Sequence, residues 1–361
     1  MTSMALWYNE KEATCDLNHT GTNCMRNCRH GKRVRCSQNE KQQLVSAKVH
    51  FNLWVADSVN EEAFLDIGLL FNNLDVASKI SFFIPAHVEK KDISDLGEII
   101  SESTLCNAIF NENYSVVKHS VSKHTQVRSE EDNELQFDIF ALDIMKDIEV
   151  KHEYHGTIIE ISTTAILNYK EPEMETYPRR YIRLRIKNES FMNVLIKKHE
   201  NKNNALESKI SEKYTIDMRF NYNRSLDSSL LEAMNIDGKR KVEIERIDFL
   251  IMAKSDVDIL SEGYKSAREL EKKIWDHYVD EVDGSGLKEI TEVVAYHWVN
   301  EPKGGNSYLD SWEKFVRYKR DKCTNKTILK YLFYFMILTV VCNLLTDGAK
   351  WIFTTVFSLF I

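Results

Sequence analysis

Apolar and polar positions alternate with a period of two along several stretches of the chain. The longest is 44–55, and shorter ones are 79–84, 157–167, 180–187 and 214–221. Because successive side chains of a strand point to opposite faces of a sheet, this period predicts strands that are buried on one face. Several half-buried strands favour antiparallel sheets. The apolar positions of the longest stretch are Val45, Ala47, Val49, Phe51, Leu53 and Val55.

The stretch 180–187 alternates basic and aliphatic residues. Arg183, Arg185 and Lys187 occupy one set of positions, and Ile182, Leu184 and Ile186 occupy the other. Since charged side chains usually stay in water, we interpret the basic set as the solvent-facing side of a strand.

Helical periodicity is less common. Stretches 92–102 and 188–199 are candidate helices, and 261–282 places apolar residues three and four positions apart beneath a charged face. Asp283, Gly284, Ser285 and Gly286 are expected to end that last helix. The charged stretches 129–134 and 197–204 are predicted to be exposed loops.

The C-terminal end is the most apolar part of the chain. Stretch 328–345 reads ILKYLFYFMILTVVCNLL, and as a helix it would rise roughly 27 Å, close to the ~30 Å hydrocarbon thickness of a bilayer. A polar break at 346–350 follows, and 351–361 is apolar again but would rise only roughly 16 Å. One continuous helix would strand Asp347 and Lys350 in lipid, so we expect a helical hairpin, 328–345 and 348–361.

The residues expected to contact lipid are spread over both arms of this hairpin. A hairpin buried in a soluble core is the alternative, but such apolar density without interleaved charge is typical of membrane segments. The lipid-facing candidates are Ile328, Leu338, Val341, Leu345, Trp351 and Phe357.

Charge is distributed unevenly. The net charge of the chain is -7, but residues 314–361 carry 8 basic and 2 acidic side chains, and residues 1–313 carry 40 basic and 53 acidic ones. An acidic body argues against a protein that coats nucleic acid. The basic flank 314–330 predicts that this side of the membrane is cytoplasmic. No secretory signal is visible in residues 1–12, so we expect the body in the cytoplasm and the anchor in the cell inner membrane.

These patterns predict an α+β protein with a β-rich, antiparallel cytoplasmic domain and a C-terminal transmembrane helical hairpin. We divide the chain into an N-terminal segment rich in Cys and Arg (1–40), the β-rich domain (41–255), a helical connector (256–327) and the membrane segments (328–361).

Four of the 7 cysteines lie close together in the N-terminal segment, with His19 and His30 beside them. In a reducing cytosol such clustering favours a metal over disulfides, and zinc is the candidate cofactor. The spacing lacks a C-x-x-C knuckle, so the alternative is a leader whose thiols bind nothing. The candidate ligands are Cys15, Cys24, Cys28 and Cys36.

The same segment concentrates basic residues on an otherwise acidic body. Phosphate contacts need such positive charge, so this is a candidate nucleic-acid contact. A solvated basic tail is the alternative. The residues are Arg26, Arg29, Lys32, Arg33 and Arg35.

Catalytic chemistry finds little support. The chain contains no G-x-x-x-x-G-K-[ST], G-x-G-x-x-G, G-x-S-x-G or H-E-x-x-H motif. We therefore predict a protein that is not an enzyme. Three classes compete: a toxic membrane effector, a passive membrane-tethered adaptor, and a tethered enzyme with an unrecognised site. A segment too short to span a bilayer favours the first, because it thins lipid or associates with copies of itself.

The layout resembles a known group of proteins. A β-rich body beginning VSAKVHFNLWVADS leads through RYKRDKCTNK into ILKYLFYFMILTVVCNLLTDGAKWIFTTVFSLFI. This order is similar to that of the small transmembrane effectors of bacterial anti-phage systems. Among these it most resembles the membrane effector that a retron encodes beside a reverse transcriptase and a noncoding RNA.

The resemblance implies a role in abortive infection. The reverse transcriptase and its RNA-DNA product would hold the effector inactive, and a phage that disturbs a monitored host factor, with RecBCD as one candidate, would release it. The released protein would damage the inner membrane, and the basic residues Arg26 to Arg35 would be a candidate contact for the nucleic acid. A neighbouring nucleotide cyclase would instead indicate an effector activated by a cyclic nucleotide.

Overall fold

The computed structural model describes residues 2–11, 26–27, 33–34, 44–55, 63–118, 124–167, 179–199, 211–283, 292–321 and 325–358. Strands dominate these residues up to Asp321, and one long helix follows. The helices are α1 (Gly97–Ile100), α2 (Ser103–Phe110), α3 (Ile144–Asp147), α4 (Thr163–Leu167), α5 (Glu189–Leu195), α6 (Ser228–Met234), α7 (Lys272–Asp283) and α8 (Asn325–Ser358).

The strands are numbered in chain order. They are β1 (Ala5–Glu10), β2 (Arg26–Asn27), β3 (Arg33–Val34), β4 (Ser46–Val55), β5 (Phe64–Asn72), β6 (Ala77–Ile84), β7 (Ile93–Asp95), β8 (Tyr114–Lys118), β9 (His124–Ser129), β10 (Leu135–Phe140), β11 (Ile148–Glu153), β12 (Gly156–Ser162), β13 (Arg179–Ile186), β14 (Ile196–His199), β15 (Ser211–Phe220), β16 (Lys239–Lys241), β17 (Glu243–Lys254), β18 (Val257–Ile259), β19 (Ser266–Glu269), β20 (Val293–Asn300) and β21 (Trp312–Asp321).

A 10-stranded sheet organises the fold. Its order is β19-β20-β17-β4-β5-β13-β10-β9-β8, and β7 also pairs with β13. Neighbours are antiparallel except for two parallel pairs, β17 with β4 and β10 with β13. This mixed but mostly antiparallel sheet confirms the predicted α+β class.

Two smaller sheets pack on one face of the large sheet. One has the order β11-β12-β6-β1-β16, and the other has the order β14-β15-β21-β18. The apolar positions of β4, such as Val49 and Phe51, face these sheets and join the largest apolar core with Ile216 of β15 and Val316 of β21. This face is dry because every second residue of its strands is apolar.

The opposite face of the large sheet is covered by helices. Residues of α1, α2 and α7 form a second apolar core with Trp54 and Met252. Lys48, His50 and Asn52, which alternate with the core positions of β4, are on this face. The helices leave part of the face open, and that opening positions the site described below.

Most of the predicted strands are confirmed and the predicted helices only in part. Strands β4, β6, β12, β13 and β15 cover the alternating stretches, although 157–167 ends in α4. The stretch 92–102 divides between β7 and α1, and 188–199 divides between α5 and β14. In 261–282 the first half contains strand β19, which pairs with β20, and only α7 is helical. The loop 129–134 is exposed as expected.

The predicted division into segments does not follow the sheets. Strand β1 pairs with β6 and β16, so part of segment 1–40 is built into the body. Strands β18, β19, β20 and β21 lie within 256–327 and pair with each other or with β15 and β17. The expectation of a helical connector is therefore wrong for most of this stretch, which completes the sheets.

The apolar C-terminal end is one helix rather than a hairpin. Helix α8 continues through the expected break at 346–350. No Pro interrupts it, and an interior Gly such as Gly348 costs a helix only about 1 kcal/mol relative to Ala. Within the break the Thr346 hydroxyl donates to the carbonyl of Cys342 at 2.8 Å, and Lys350 Nζ lies 3.6 Å from Asp347 Oδ1. The expectation of a hairpin is therefore wrong, since the backbone stays helical through the polar residues.

Candidate functional site

Helix α8 is uncovered by the body. The helical segment Ile328–Ser358 is long and apolar enough to cross a membrane. Its most apolar stretch is 0% buried. The three apolar cores of the body contain no residue of α8. The chain therefore carries one C-terminal helix that could anchor it in a membrane.

Aromatic and charged residues are placed at a bilayer spacing along α8. Tyr331 follows Lys330 near one end, and Trp351 follows Lys350 near the other. Twenty residues separate Tyr331 from Trp351, which corresponds to a rise of ~30 Å, the thickness of a hydrocarbon core. Aromatic rings of this kind collect at membrane interfaces. If α8 spans a bilayer between these two rings, Asp347 lies next to the far interface rather than at the centre of the bilayer.

The predicted lipid contacts all lie on α8. Ile328, Leu338, Val341 and Leu345 precede the polar stretch 346–350, and Trp351 and Phe357 follow it. Each is exposed, from 44% for Val341 to 69% for Trp351. The structure brings them onto one helix instead of two facing arms.

A basic groove forms the second candidate site. It is a cavity of about 710 Å³ over the helix-covered face of the large sheet. Lys48, His50 and Asn52 of β4 line it, as do Arg246 and Asp248 of β17, the end of α2, and residues of β19, β20 and α7. In the parallel pairing of β4 with β17, Lys48 is opposite Arg246 and His50 is opposite Asp248. Strand register therefore assembles the floor of the groove.

Cations outnumber carboxylates in this basic groove. Among the described residues that line it, the carboxylates are Asp248 and Glu112. Since the body is acidic overall, a basic concave surface focuses positive potential at one place. The cationic residues that line the groove are Lys48, Arg179, Arg183, Arg246, Lys265 and Arg268.

Asp248 is already paired within the groove. Arg246 donates to both carboxylate oxygens, from Nε to Oδ2 at 2.6 Å and from Nη2 to Oδ1 at 2.7 Å, and His297 Nε2 lies 2.8 Å from Oδ1. Burial would raise the pKa of Asp248, but the bonds from His297 and Arg246 outweigh it and lower that pKa well below its usual range. Asp248 is therefore ionised and balances Arg246.

His50 is neutral at physiological pH. Burial, the main cause, lowers its pKa to about 4; Asp248 opposes this, and the charges of Arg183 and Arg246 add to it. The His50 Nδ1 atom lies 3.4 Å from the hydroxyl of Tyr181, which accepts a bond from Arg183 Nη1 at 3.0 Å. Its other ring nitrogen, Nε2, lies 3.9 Å from Asp248 Oδ2, so the neutral ring adds an aromatic surface to the groove and no charge.

Arg183 and Arg185 correct our interpretation of strand β13. Both side chains are 0% exposed, because α7 covers the strand face that we assigned to solvent. Asp66 lies between them, with Arg185 Nε 2.8 Å from Oδ1 and Arg183 Nη2 3.8 Å from Oδ2. Tyr278 of α7 donates to Asp66 at 2.7 Å and accepts from Arg183 Nε at 2.7 Å. We call Asp66, Arg183, Arg185 and Tyr278 the arginine cluster, and it supports the floor of the groove.

Gly68 makes room for this arrangement. It is opposite His50 on one side and Arg183 on the other. A Cβ atom at Gly68 would lie 2.1 Å from the Tyr181 hydroxyl, so any side chain would push the Tyr181 ring away from His50. A glycine in the middle of a strand here serves a close approach of side chains.

The predicted N-terminal sites are barely covered by the described residues. Cys15, Cys24, Cys28 and Cys36 lie outside them, as do Arg29, Lys32 and Arg35. Arg26 and Arg33 begin the two short strands β2 and β3, which pair with each other. Elsewhere in the described part of the chain, no group of three His, Cys, Asp or Glu is placed to hold a metal. Zinc and nucleic-acid binding by this segment stay predictions.

Sequence reasoning missed the basic groove. Its cations come from β4, β13, β17 and β19, which are far apart in sequence and give no local cluster. The sequence offered one signal. The polar positions of β4 include Lys48 and His50, although a strand face that contacts only solvent requires neither a lysine nor a histidine. No protein-family model matches the chain, and no curated protein is significantly similar to it.

Proposed function

We propose that this chain is a membrane-anchored effector, in which α8 enters a lipid bilayer and the β-rich body determines when α8 acts. One observation supports this above all: Ile328–Ser358 forms a continuous apolar helix that the body leaves bare. Apolar surface costs about 25 cal/mol per Å² in water, so this helix requires lipid or another helix around it.

We further propose that the anchor lies in the cell inner membrane with the body in the cytoplasm. The support is the run of basic residues before the span, which includes Lys314, Arg317 and Lys319 on β21. Positive residues next to a span favour the cytoplasmic side. The rise of 31 helical residues, roughly 46 Å, exceeds one hydrocarbon core, so α8 would tilt in the bilayer or continue beyond the interface at Trp351.

The partners follow the resemblance in layout. We propose that the chain is the toxic effector of a retron, held inactive by the reverse transcriptase and its RNA-DNA product, with RecBCD as a candidate for the monitored host factor. On release, copies of α8 would associate and damage the inner membrane, which aborts the infection. The support is the order of a β-rich body, a basic flank and an apolar end.

Expression in bacteria tests this function. The full chain should depolarise the inner membrane, as measured with a voltage-sensitive dye, and co-expression of a cognate reverse transcriptase with its noncoding RNA should prevent it. A chain that ends at Thr324 is the control, because it keeps β21 intact and removes only α8. If the full chain enters the membrane without any depolarisation, α8 is a passive anchor and the protein an adaptor.

A further inference from the structure

We infer that the basic groove binds a nucleotide that carries two or more phosphate charges. The first support is unpaired positive charge. Lys48, Arg179, Lys265 and Arg268 line the groove, and none forms an ion pair with a carboxylate among the residues that the structure describes. Within the described ranges, Arg268 donates to Asn111 Oδ1 at 3.1 Å and to the Ala108 carbonyl at 3.2 Å, which are both uncharged acceptors.

Phosphate is the anion that this charge suits. Like charges that share a concave surface repel one another, and a ligand with several negative charges removes that repulsion. Arg179 and Arg268 offer forked donors that match phosphate oxygens, and Lys48 adds a compact charge on the floor. Because Asp248 is balanced by Arg246, it leaves this excess in place.

An aromatic wall suits the base of a nucleotide. Phe110, at the end of α2, is half-buried, and its ring centroid lies 4.7 Å from that of Phe137 and 4.9 Å from that of Tyr181. His50, neutral and 5.6 Å from Phe110, extends the wall. Flat rings beside cations are the combination that stacks a base and holds its phosphates.

The size of the groove agrees with a single nucleotide ligand. About 710 Å³ lies within the range of 300–1,000 Å³ that is typical of small-molecule sites. The lining contains no residue of α8, so binding does not depend on the behaviour of α8 in a membrane. A ligand at this position would contact β4, β17 and α2 together and would stabilise their packing.

Equilibrium dialysis of the full chain in detergent tests the site. The probes are the four ribonucleoside triphosphates, cyclic di-AMP, cyclic di-GMP, pyrophosphate and adenosine. We expect at least one of the nucleotides to bind at least tenfold more tightly than both pyrophosphate and adenosine, and its affinity to fall with added salt. Failure of every nucleotide to bind folded protein would overturn the inference, whatever α8 does to membranes.

Three substitutions separate charge, stacking and a nonspecific effect. Lys48→Gln should lower the affinity for the nucleotide about tenfold, which corresponds to the loss of one charge-assisted bond. Phe110→Ala should lower the affinity for the nucleotide about tenfold and leave pyrophosphate binding unchanged. Lys303→Gln, an exposed cation outside the groove, should change neither. Circular dichroism is the control that tests whether each variant is folded.

Two results would contradict the nucleotide assignment. If pyrophosphate binds as tightly as every nucleotide and Phe110→Ala has no effect, the groove recognises phosphate alone. If Lys48→Gln and Lys303→Gln weaken binding equally, the ligand is attracted by overall charge rather than by this groove.

Discussion

The body and α8 expose apolar side chains to different surroundings. In the body, Phe51 and Phe249 are 0% exposed, whereas Phe335 and Phe353 of α8 are 69% and 73% exposed. The same residue type is therefore covered by protein in one region and left for lipid in the other. The stability of the body and the membrane behaviour of α8 should therefore be separable. Matched substitutions in the two regions test this separation.

Removal of one aromatic ring from each region gives the largest expected difference. Phe51→Ala leaves a cavity between the sheets and should lower the free energy of unfolding of the body by about 4 kcal/mol. Phe335→Ala should leave that free energy unchanged, because the ring contacts no core residue. Denaturation of the full chain in detergent, followed by near-ultraviolet circular dichroism, measures both. Equal losses would mean that α8 packs on the body.

The arginine cluster is the polar counterpart of that core. Asp66→Asn removes the carboxylate that Arg183 and Arg185 share, and buried charges that lose their partner cost about 3 to 5 kcal/mol. The same denaturation experiment measures this loss. Asp237→Asn, at an exposed position, is the control and should have no effect. An unchanged stability in Asp66→Asn would mean that the cluster is not desolvated.

A charge in the middle of α8 should act on insertion alone. Leu338→Lys should raise the cost of membrane insertion by about 2 to 3 kcal/mol and abolish depolarisation, and Val341→Lys should do the same. Leu260→Lys is a matched control, since Leu260 is 55% exposed in the body and Leu338 is 58% exposed in α8. Carbonate extraction of membranes measures the fraction inserted. Depolarisation that persists in Leu338→Lys would exclude α8 as the agent.

A lower pH should decrease the free energy of unfolding of the body and leave α8 unaffected. The pKa of His50 is about 4 in the folded body and about 6.5 when unfolded, so the unfolded chain binds the proton more readily. The stability from neutral His50 is fully present above pH 6.5 and is lost as the pH falls toward 4. Between pH 7 and pH 5 the loss should be about 2 kcal/mol.

His50→Gln isolates this titration. In urea denaturation at the two pH values, the variant should lose about 2 kcal/mol less than the unchanged chain. An identical pH dependence in both proteins would show that other groups cause the loss. Asp248, whose pKa is lowered, contributes only at more acidic pH, below about 4.

Local pattern predicted the apolar core well. The alternation in β4 placed Val49 and Phe51 on the buried face, and the structure confirms it. The same alternation correctly assigned Arg183 and Ile182 to opposite faces of β13. It could not show which element covers each face. Helix α7, which follows β13 by about ninety residues, covers Arg183, and no local pattern encodes that contact.

Long-range pairing explains the remaining differences. The first half of 261–282 has helical periodicity, yet β20 recruits Ser266–Glu269 into the large sheet. The basic groove needs the register of β4 with β17 and the position of α2, which are tertiary facts. In α8 we took the cost of Asp347 and Lys350 in lipid as evidence for a break, but the backbone through these residues and Gly348 stays helical.

The short connection between β21 and α8 has a consequence for how the molecule sits. Only residues 322–324 separate Asp321 from Asn325, so their α-carbons lie at most about 14 Å apart. Strand β21 is an inner strand, paired with β15 and β18. If α8 spans a bilayer, the body cannot move far from it, and the sheet that contains β21 stays close to the lipid headgroups. The basic groove lies on the opposite face of the large sheet from the sheet that contains β21, so closeness of β21 to lipid leaves the route into the groove unobstructed.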